Sequence, residues 1–199
     1  HVIEGANKIM VKGINGDLSQ SYSARVIVSD KNNDLAILKI DKSIGTIPYG
    51  MKLDKLGVAE EVFAYGYPLT TLLGDEIKFT DGRISSGTGM DNDPRYYQHT
   101  ASLQPGNSGG PLLNINGSLI GVNTAIFKHA EGIGFAIPIN KAKRIINDLI
   151  RYGKVRRGWL GIFVQNITKE MRRFFYLNRT RGVVLSQVME GSSGSRAGL

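Results

Sequence analysis

From residue 9 to about residue 137 the apolar positions follow a period of two, broken at short intervals by turn residues. Tyr22, Ala24, Val26 and Val28 alternate with Ser23, Arg25 and Ile27, and the polar stretch Asp30-Lys31-Asn32-Asn33 follows, as expected of a strand with one face turned inward. The runs Leu35 to Ile40, Val62 to Tyr65, Glu76 to Ser85, Tyr96 to Ala101, Ser118 to Thr124 and Gly132 to Ile137 repeat this, with Gly, Pro, Asn and Asp between them. Many short strands punctuated in this way predict an all-β barrel or sandwich.

The period changes after Pro138. Ala142, Ile145, Ile146, Leu149 and Ile150 recur at three- and four-residue steps, so residues 140–152 are predicted to form an amphipathic helix, with Asn140 as N-cap and Gly153 at its far end. Gly153 to Gly158 encloses Lys154, Arg156 and Arg157 and reads as a linker, which divides the chain into 1–153 and 154–199. A second pattern starts at Trp159. It has a strand-like stretch from Leu160 to Val164, a helical one from Thr168 to Phe175 and a strand-like one from Val183 to Val188. Only 41 residues follow Gly158, too few for a self-sufficient core without disulfides or a metal.

Composition narrows the chemistry. The 199 residues are 41% hydrophobic and 21% charged, which suits a folded core and excludes wholesale disorder. No uninterrupted apolar run approaches the ~20 residues that span a bilayer, so the chain is expected to be soluble. There is no cysteine, hence no disulfide framework and no thiolate nucleophile or zinc ligand. Hydroxyl, imidazole and carboxylate groups must carry any reaction, and neither a metal nor a cofactor is expected. The net charge of +8 is concentrated: residues 1–140 carry −2, residues 141–181 carry +10 and the last 18 carry 0. Such a basic stretch can meet an anionic surface, though no aromatic-interleaved nucleic-acid motif accompanies it. A solvated helix face and linker is its simpler reading.

The densest chemical signal is Pro105-Gly106-Asn107-Ser108-Gly109-Gly110-Pro111. Three glycines around one serine free the backbone to push the hydroxyl outward and to aim amide N–H groups at one point, which a nucleophile beside an oxyanion hole requires. A phosphate-binding loop would lead into a helix and usually contain a Lys; here Pro111-Leu112-Leu113 leads toward a hairpin at Asn116-Gly117. A serine needs a base, itself oriented by a third group. The histidines are His1, His99 and His129; His99 reads as a loop residue and His129 as part of a surface turn. His1 opens the string HVIEGA, and Asp34 stands at the mouth of an apolar strand in NNDLAILKI, placed to accept an imidazole N–H.

His1, Asp34 and Ser108 in that order, with the strings NDLAILKI, QPGNSGGPLL, IGVNTAI, GIGFAIP and RGWLGI, resemble the HtrA/Deg family of trypsin-like serine proteases with PDZ domains. Most members carry Thr-Asp where this chain has His99-Thr100. The resemblance implies a mainly β fold: a trypsin-like double β-barrel, its first barrel incomplete, a C-terminal helix, then the first half of a PDZ domain. It implies a serine endopeptidase of protein quality control with Ser108 as nucleophile, His1 as base and Asp34 as its orienting acid. Gly106, Asn107 and Ser108 would form the oxyanion hole. Thr124, Ala125 and Ile126 would pair with substrate, and Ser102, Ile133 and Gly134 would line a primary pocket without an acid, favouring small or medium aliphatic side chains. Leu160, Gly161, Ile162, Phe163 and Val164 would receive a peptide C-terminus.

Members are usually trimers or larger assemblies in the bacterial periplasm or envelope, acting on unfolded proteins. Two other readings stay open: a peptide-holding chaperone module that does not cut, and a binder of anionic surfaces, membranes included, through residues 141–181. In the family, strands of the first barrel precede the catalytic histidine, so the chain reads as a piece of a longer protease, expected to be poorly active alone. A free α-amino group on His1 would also crowd the imidazole.

Overall fold

Alternation builds the sheets, and close backbone approaches decide where glycine must interrupt it. The structure is a computed structural model and describes residues 1–14, 17–46, 49–74, 76–126, 132–179 and 181–199. The expected turn at His129 lies outside the described residues. The chain folds as two units, His1–Val155 and Arg156–Leu199.

The first unit is mainly β. Strands β1 (Ile9–Ile14), β2 (Asp17–Asp30) and β3 (Leu35–Ile40) make an open antiparallel sheet, in which Ala24 of β2 stands between Ile9 and Ile40. Six further strands close a barrel in the order β4 (Glu61–Gly66), β5 (Lys78–Ser86), β6 (Tyr97–His99), β9 (Gly134–Pro138), β8 (Leu119–Ile126), β7 (Pro111–Asn114). Closure gives each barrel strand a partner on both sides over part of its length. Its interior holds Val62, Ala64, Ile84, Tyr97, Leu112 and Ile120, all nearly or fully buried. A short helix α1 (Thr70–Leu73) follows β4.

The β7–β8 hairpin is built as its sequence suggests. Gly117 takes a positive φ, and the Asn114 side-chain oxygen accepts the backbone N–H groups of Asn116 and Ser118 at 3.1 and 2.9 Å.

Helix α2 (Ile139–Tyr152) follows β9 directly. Its N-cap is Pro138 rather than Asn140, which lies in the first turn and accepts the Lys141 N–H at 2.7 Å. Ile139 explains the early start, since it is buried with Leu119, Ile137 and Ala142, so the chain turns helical as soon as it leaves the barrel. Leu35 of β3 packs on this cluster and joins the open sheet to it. Gly153 ends the helix at φ 67°, its N–H donating to the Leu149 carbonyl at 3.0 Å.

In β5, Gly82 lies under the segment that leads to Ser108. A Cβ there would stand 2.1 Å from the Ala101 backbone nitrogen and 2.6 Å from the Thr100 carbonyl carbon. Backbone cannot yield as a side-chain tip does. We expect Gly82→Ala to cost about 3 kcal/mol or more of stability, read by urea denaturation; a loss below ~1 kcal/mol would contradict this packing.

The second unit pairs β10 (Ile162–Asn166) with β11 (Val183–Val188), separated by helix α3 (Lys169–Phe174) and followed by α4 (Ser193–Arg196). Among the described residues none of its apolar side chains is fully buried. Among the described residues, no helix of the chain is long and apolar enough to cross a membrane.

Candidate active site

The loop carrying Ser108 is held by its own backbone and by the strand end before α1. Leu69 donates to the Pro105 carbonyl at 3.0 Å, Asn107 to Gln104 at 3.0 Å and Gly110 to Asn107 at 3.0 Å. Gly106 has φ 109°, and a Cβ on it would meet the Tyr67 carbonyl oxygen at 2.4 Å, so both the backbone angle and the available space demand glycine. The loop is then sewn to β8, with Gly109 donating to the Asn123 carbonyl at 2.7 Å and Asn123 to that of Gly110 at 2.9 Å.

This framework leaves the amides of Gly106 and Ser108 without an acceptor among the described residues. Asn107, expected among the oxyanion donors, instead spends its N–H on Gln104, because the turn needs that bond to close. Its buried side chain backs onto Gly66, where a Cβ would come within 2.2 Å of Asn107 Oδ1.

Asp34 sits at the end of a one-turn 3-10 helix over Lys31–Asn33, in the left-handed region at φ 52°. Asp30 caps that turn by accepting the Asn32 N–H at 2.9 Å and the Asn33 amide at 2.8 Å. Arg95 clasps it from the barrel, donating to the Asn32 carbonyl at 2.9 Å while forked against Asp93. Sequence reasoning missed Arg95 altogether, and it read Thr124 as a substrate-pairing residue without its contact to Asp34.

Three groups converge on the Asp34 carboxylate. His1 Nδ1 lies 2.6 Å from Oδ2, the Thr124 hydroxyl donates to the same oxygen, and the terminal amino group of His1 binds Oδ1. Ser108 Oγ donates to the backbone carbonyl of Thr124 at 3.0 Å. Thr124 thus touches Asp34 with its side chain and Ser108 with its backbone.

The strand expected to meet substrate is β8. Its pairing with β7 ends at Val122, opposite Pro111, whereas Ala125 and Ile126 remain paired on the other side with Phe135 and Gly134 of β9. Beyond Val122 one edge of β8 therefore carries no strand among the described residues. In the expected pocket, Ser102 is exposed, with its carbonyl accepting the Thr80 hydroxyl at 2.8 Å, and Ile133 is half-buried. Gly134 is buried opposite His99.

His99 is no loop residue. It ends β6 and is fully buried, because it shares the inward face of the strand with Tyr97. Among the described residues neither ring nitrogen finds a hydrogen-bond partner, and the nearby Asn123 Oδ1 is also unsatisfied. Burial pushes the imidazole down to about 4; the approach of Asn123 and the Ala101 backbone opposes this without forming a bond of normal geometry. Among the described residues no cluster of three His, Cys, Asp or Glu could hold a metal ion.

In the second unit, Gly161 has φ 66° and faces Ser192, whose Cβ would be 2.3 Å from an added Cβ. The carbonyls of Leu160 and Gly161 accept from Gly194 and Met189 at 2.8 and 2.7 Å. The amides of both residues have no acceptor among the described residues, while Phe163 and Val164 are exposed on β10.

A family model described as "Trypsin-like peptidase domain" matches residues 1–122. The chain is 37% identical over 205 residues to a "Probable periplasmic serine endoprotease DegP-like" of Hahella chejuensis, covering all of this chain and 42% of that protein. It is 40% identical over 210 residues to a protein of the same name from Rickettsia conorii, covering all of this chain and 40% of that one. Among solved structures, the "HtrA-type protease AlgW with decapeptide" superposes with a TM-score of 0.77 at 36% identity, covering all of this chain and 61% of its own. The serine endoprotease of Yersinia pestis gives 0.68 at 34% identity, covering 98% of this chain and 62% of its own. The chain thus spans about two fifths of the length of the curated relatives it matches. With the six-stranded barrel, the glycine-framed serine loop and these relatives in agreement, the chain belongs to the trypsin-like peptidase family, on its HtrA/Deg side.

Proposed function

We propose that the chain carries the catalytic groups of a serine endopeptidase that cuts unfolded proteins in quality control. The observation that carries this reading is the linkage at Asp34: one carboxylate holds the His1 imidazole and, through Thr124, is tied to Ser108.

In the reaction, the Ser108 hydroxyl turns from the Thr124 carbonyl to His1 Nε2, which takes its proton as Oγ attacks the peptide carbonyl. Asp34 fixes the tautomer through Nδ1 and stabilises the imidazolium. The Gly106 and Ser108 amides hold the oxyanion; losing one such donor typically costs about 3 kcal/mol in the barrier. His1 then returns the proton to the leaving amine, and water repeats the sequence to release the acyl group.

Substrate adds as a strand along the open edge of β8 at Thr124, Ala125 and Ile126, with its side chain in the pocket of Ser102, Ile133 and Gly134. Leu160 to Val164 receives peptide C-termini through the unpaired amides of its loop, as the first half of a PDZ domain. By likeness to the DegP-like and HtrA-type relatives, the whole protein works in the periplasm or envelope as a homotrimer or larger assembly. A peptide-holding role without cleavage is the second reading, and the Ser108-to-Thr124 hydrogen bond, which engages the hydroxyl proton on a backbone carbonyl, favours it as a resting state.

The two readings separate on an unfolded substrate whose fragments are sequenced by mass spectrometry. Cuts after Val, Ala or Ile are expected, because the residues named for the pocket, Ser102, Ile133 and Gly134, include no acid to pair with Lys or Arg. Dominant cleavage after basic residues would refute the pocket assignment, and binding without any cleavage would leave the holding role.

A further inference from the structure

The excess charge of residues 141–181 has no part in peptide hydrolysis, and part of it converges on one hollow. Lys169, Arg172 and Arg173 stand at i, i+3 and i+4 on α3 and so share a face of the helix. Like charges at this spacing destabilise an isolated helix by a few tenths of a kcal/mol per pair unless an anion lies between them. All three line a cavity of about 770 Å³ in the second unit, together with Thr168, Tyr176 and Asn178.

The walls contain no carboxylate, and among the described residues none of the three cations is in an ion pair. Arg172 is already oriented: its Nε donates to the Leu177 carbonyl at 3.3 Å, which leaves the outer guanidinium nitrogens for a ligand. The Thr168 oxygen accepts the Met171 N–H at 3.2 Å and so caps α3, while its hydroxyl faces the Glu170 carboxylate and, with Glu170's own backbone N–H, helps hold it below the usual carboxylate range. The hollow is open, with Thr168, Lys169, Arg172, Arg173, Tyr176 and Asn178 all exposed, so it suits a charged ligand that stays partly hydrated.

We propose that this cavity binds a phosphate-bearing ligand with at least two negative charges, either a soluble phosphorylated molecule or the headgroup of an anionic lipid. Guanidinium forks suit phosphate oxygens, and three cations around one hollow favour a polyvalent anion over a monovalent one. The site is independent of Ser108 and of the proteolytic reading.

The test uses the whole chain. Pyrophosphate is titrated by calorimetry at low salt, and co-sedimentation is measured with vesicles of phosphatidylglycerol in phosphatidylcholine. Arg172→Gln/Arg173→Gln should weaken saturable binding at least tenfold. Lys169→Gln, which leaves the Arg172–Leu177 bond in place, should weaken it severalfold, and Lys143→Gln/Arg144→Gln on α2 should change it little. Saturable pyrophosphate binding without vesicle binding supports the site and identifies a soluble ligand; vesicle binding displaced by pyrophosphate supports it and identifies a headgroup. Absence of saturable binding to both, or equal weakening in the α2 control, overturns the proposal.

Discussion

Ser108→Ala is expected to abolish peptide hydrolysis, lowering kcat by about a millionfold in the complete protease, with folding unchanged. The size follows from the role: without Oγ there is no covalent intermediate, and the His1–Asp34 pair has no proton to accept. Stability should hold because the hydroxyl makes one hydrogen bond, to the Thr124 carbonyl, and alanine fits the same turn. A fluorophosphonate probe should attach to Ser108 in the unaltered enzyme, seen as a mass adduct on the peptide spanning residues 104–114, and should leave the alanine variant unmarked. Hydrolysis surviving in the variant would place the nucleophile elsewhere.

The second large effect concerns His99 and acid. Its folded-state pKa of about 4 lies below the ordinary 6.5, so between these values the unfolded chain binds more protons than the folded one. The neutral imidazole's full contribution is present above pH 6.5, declines as pH falls and is spent near pH 4. The span corresponds to roughly 3 kcal/mol, a large part of a small domain's stability. Urea denaturation from pH 7.5 to pH 4 should therefore be steeper in the native chain than in His99→Leu. At neutral pH that variant should be close to neutral, since it removes two unpaired buried nitrogens at similar volume. Equal slopes in the two proteins would show that His99 is not the acid-sensitive group.

His99 also shows what was legible in the sequence and what was overlooked. Tyr97, His99 and Ala101 alternate with Gln98 and Thr100, so the period of two puts the imidazole inside, although an ionisable ring is seldom buried without a partner. The barrel strands, the α2 helix and the serine loop were legible because each has a strong local cause: alternation, three- and four-residue steps, and glycines where no Cβ fits.

Thr124 was legible only as a strand residue. The β8–β9 register shifts between Asn123 and Ala125, and this bulge buries two consecutive side chains, Asn123 and Thr124, where alternation allows one. Arg95 was invisible for a different reason. Its grip on the Asn32 carbonyl crosses 63 positions, and no spacing rule reaches that far.

Thr124 links two events that are usually considered apart. On the proposed docking along β8, a peptide would meet the main chain of the residue whose carbonyl accepts the Ser108 hydroxyl and whose own hydroxyl donates to Asp34. Under that proposal, a substrate that pairs fully with the strand would compete with Ser108 for the Thr124 carbonyl and release the hydroxyl for His1, whereas a poorly paired one would leave that hydrogen bond in place. Discrimination between good and bad substrates then appears in the rate of acylation, beyond any difference in how tightly each is held.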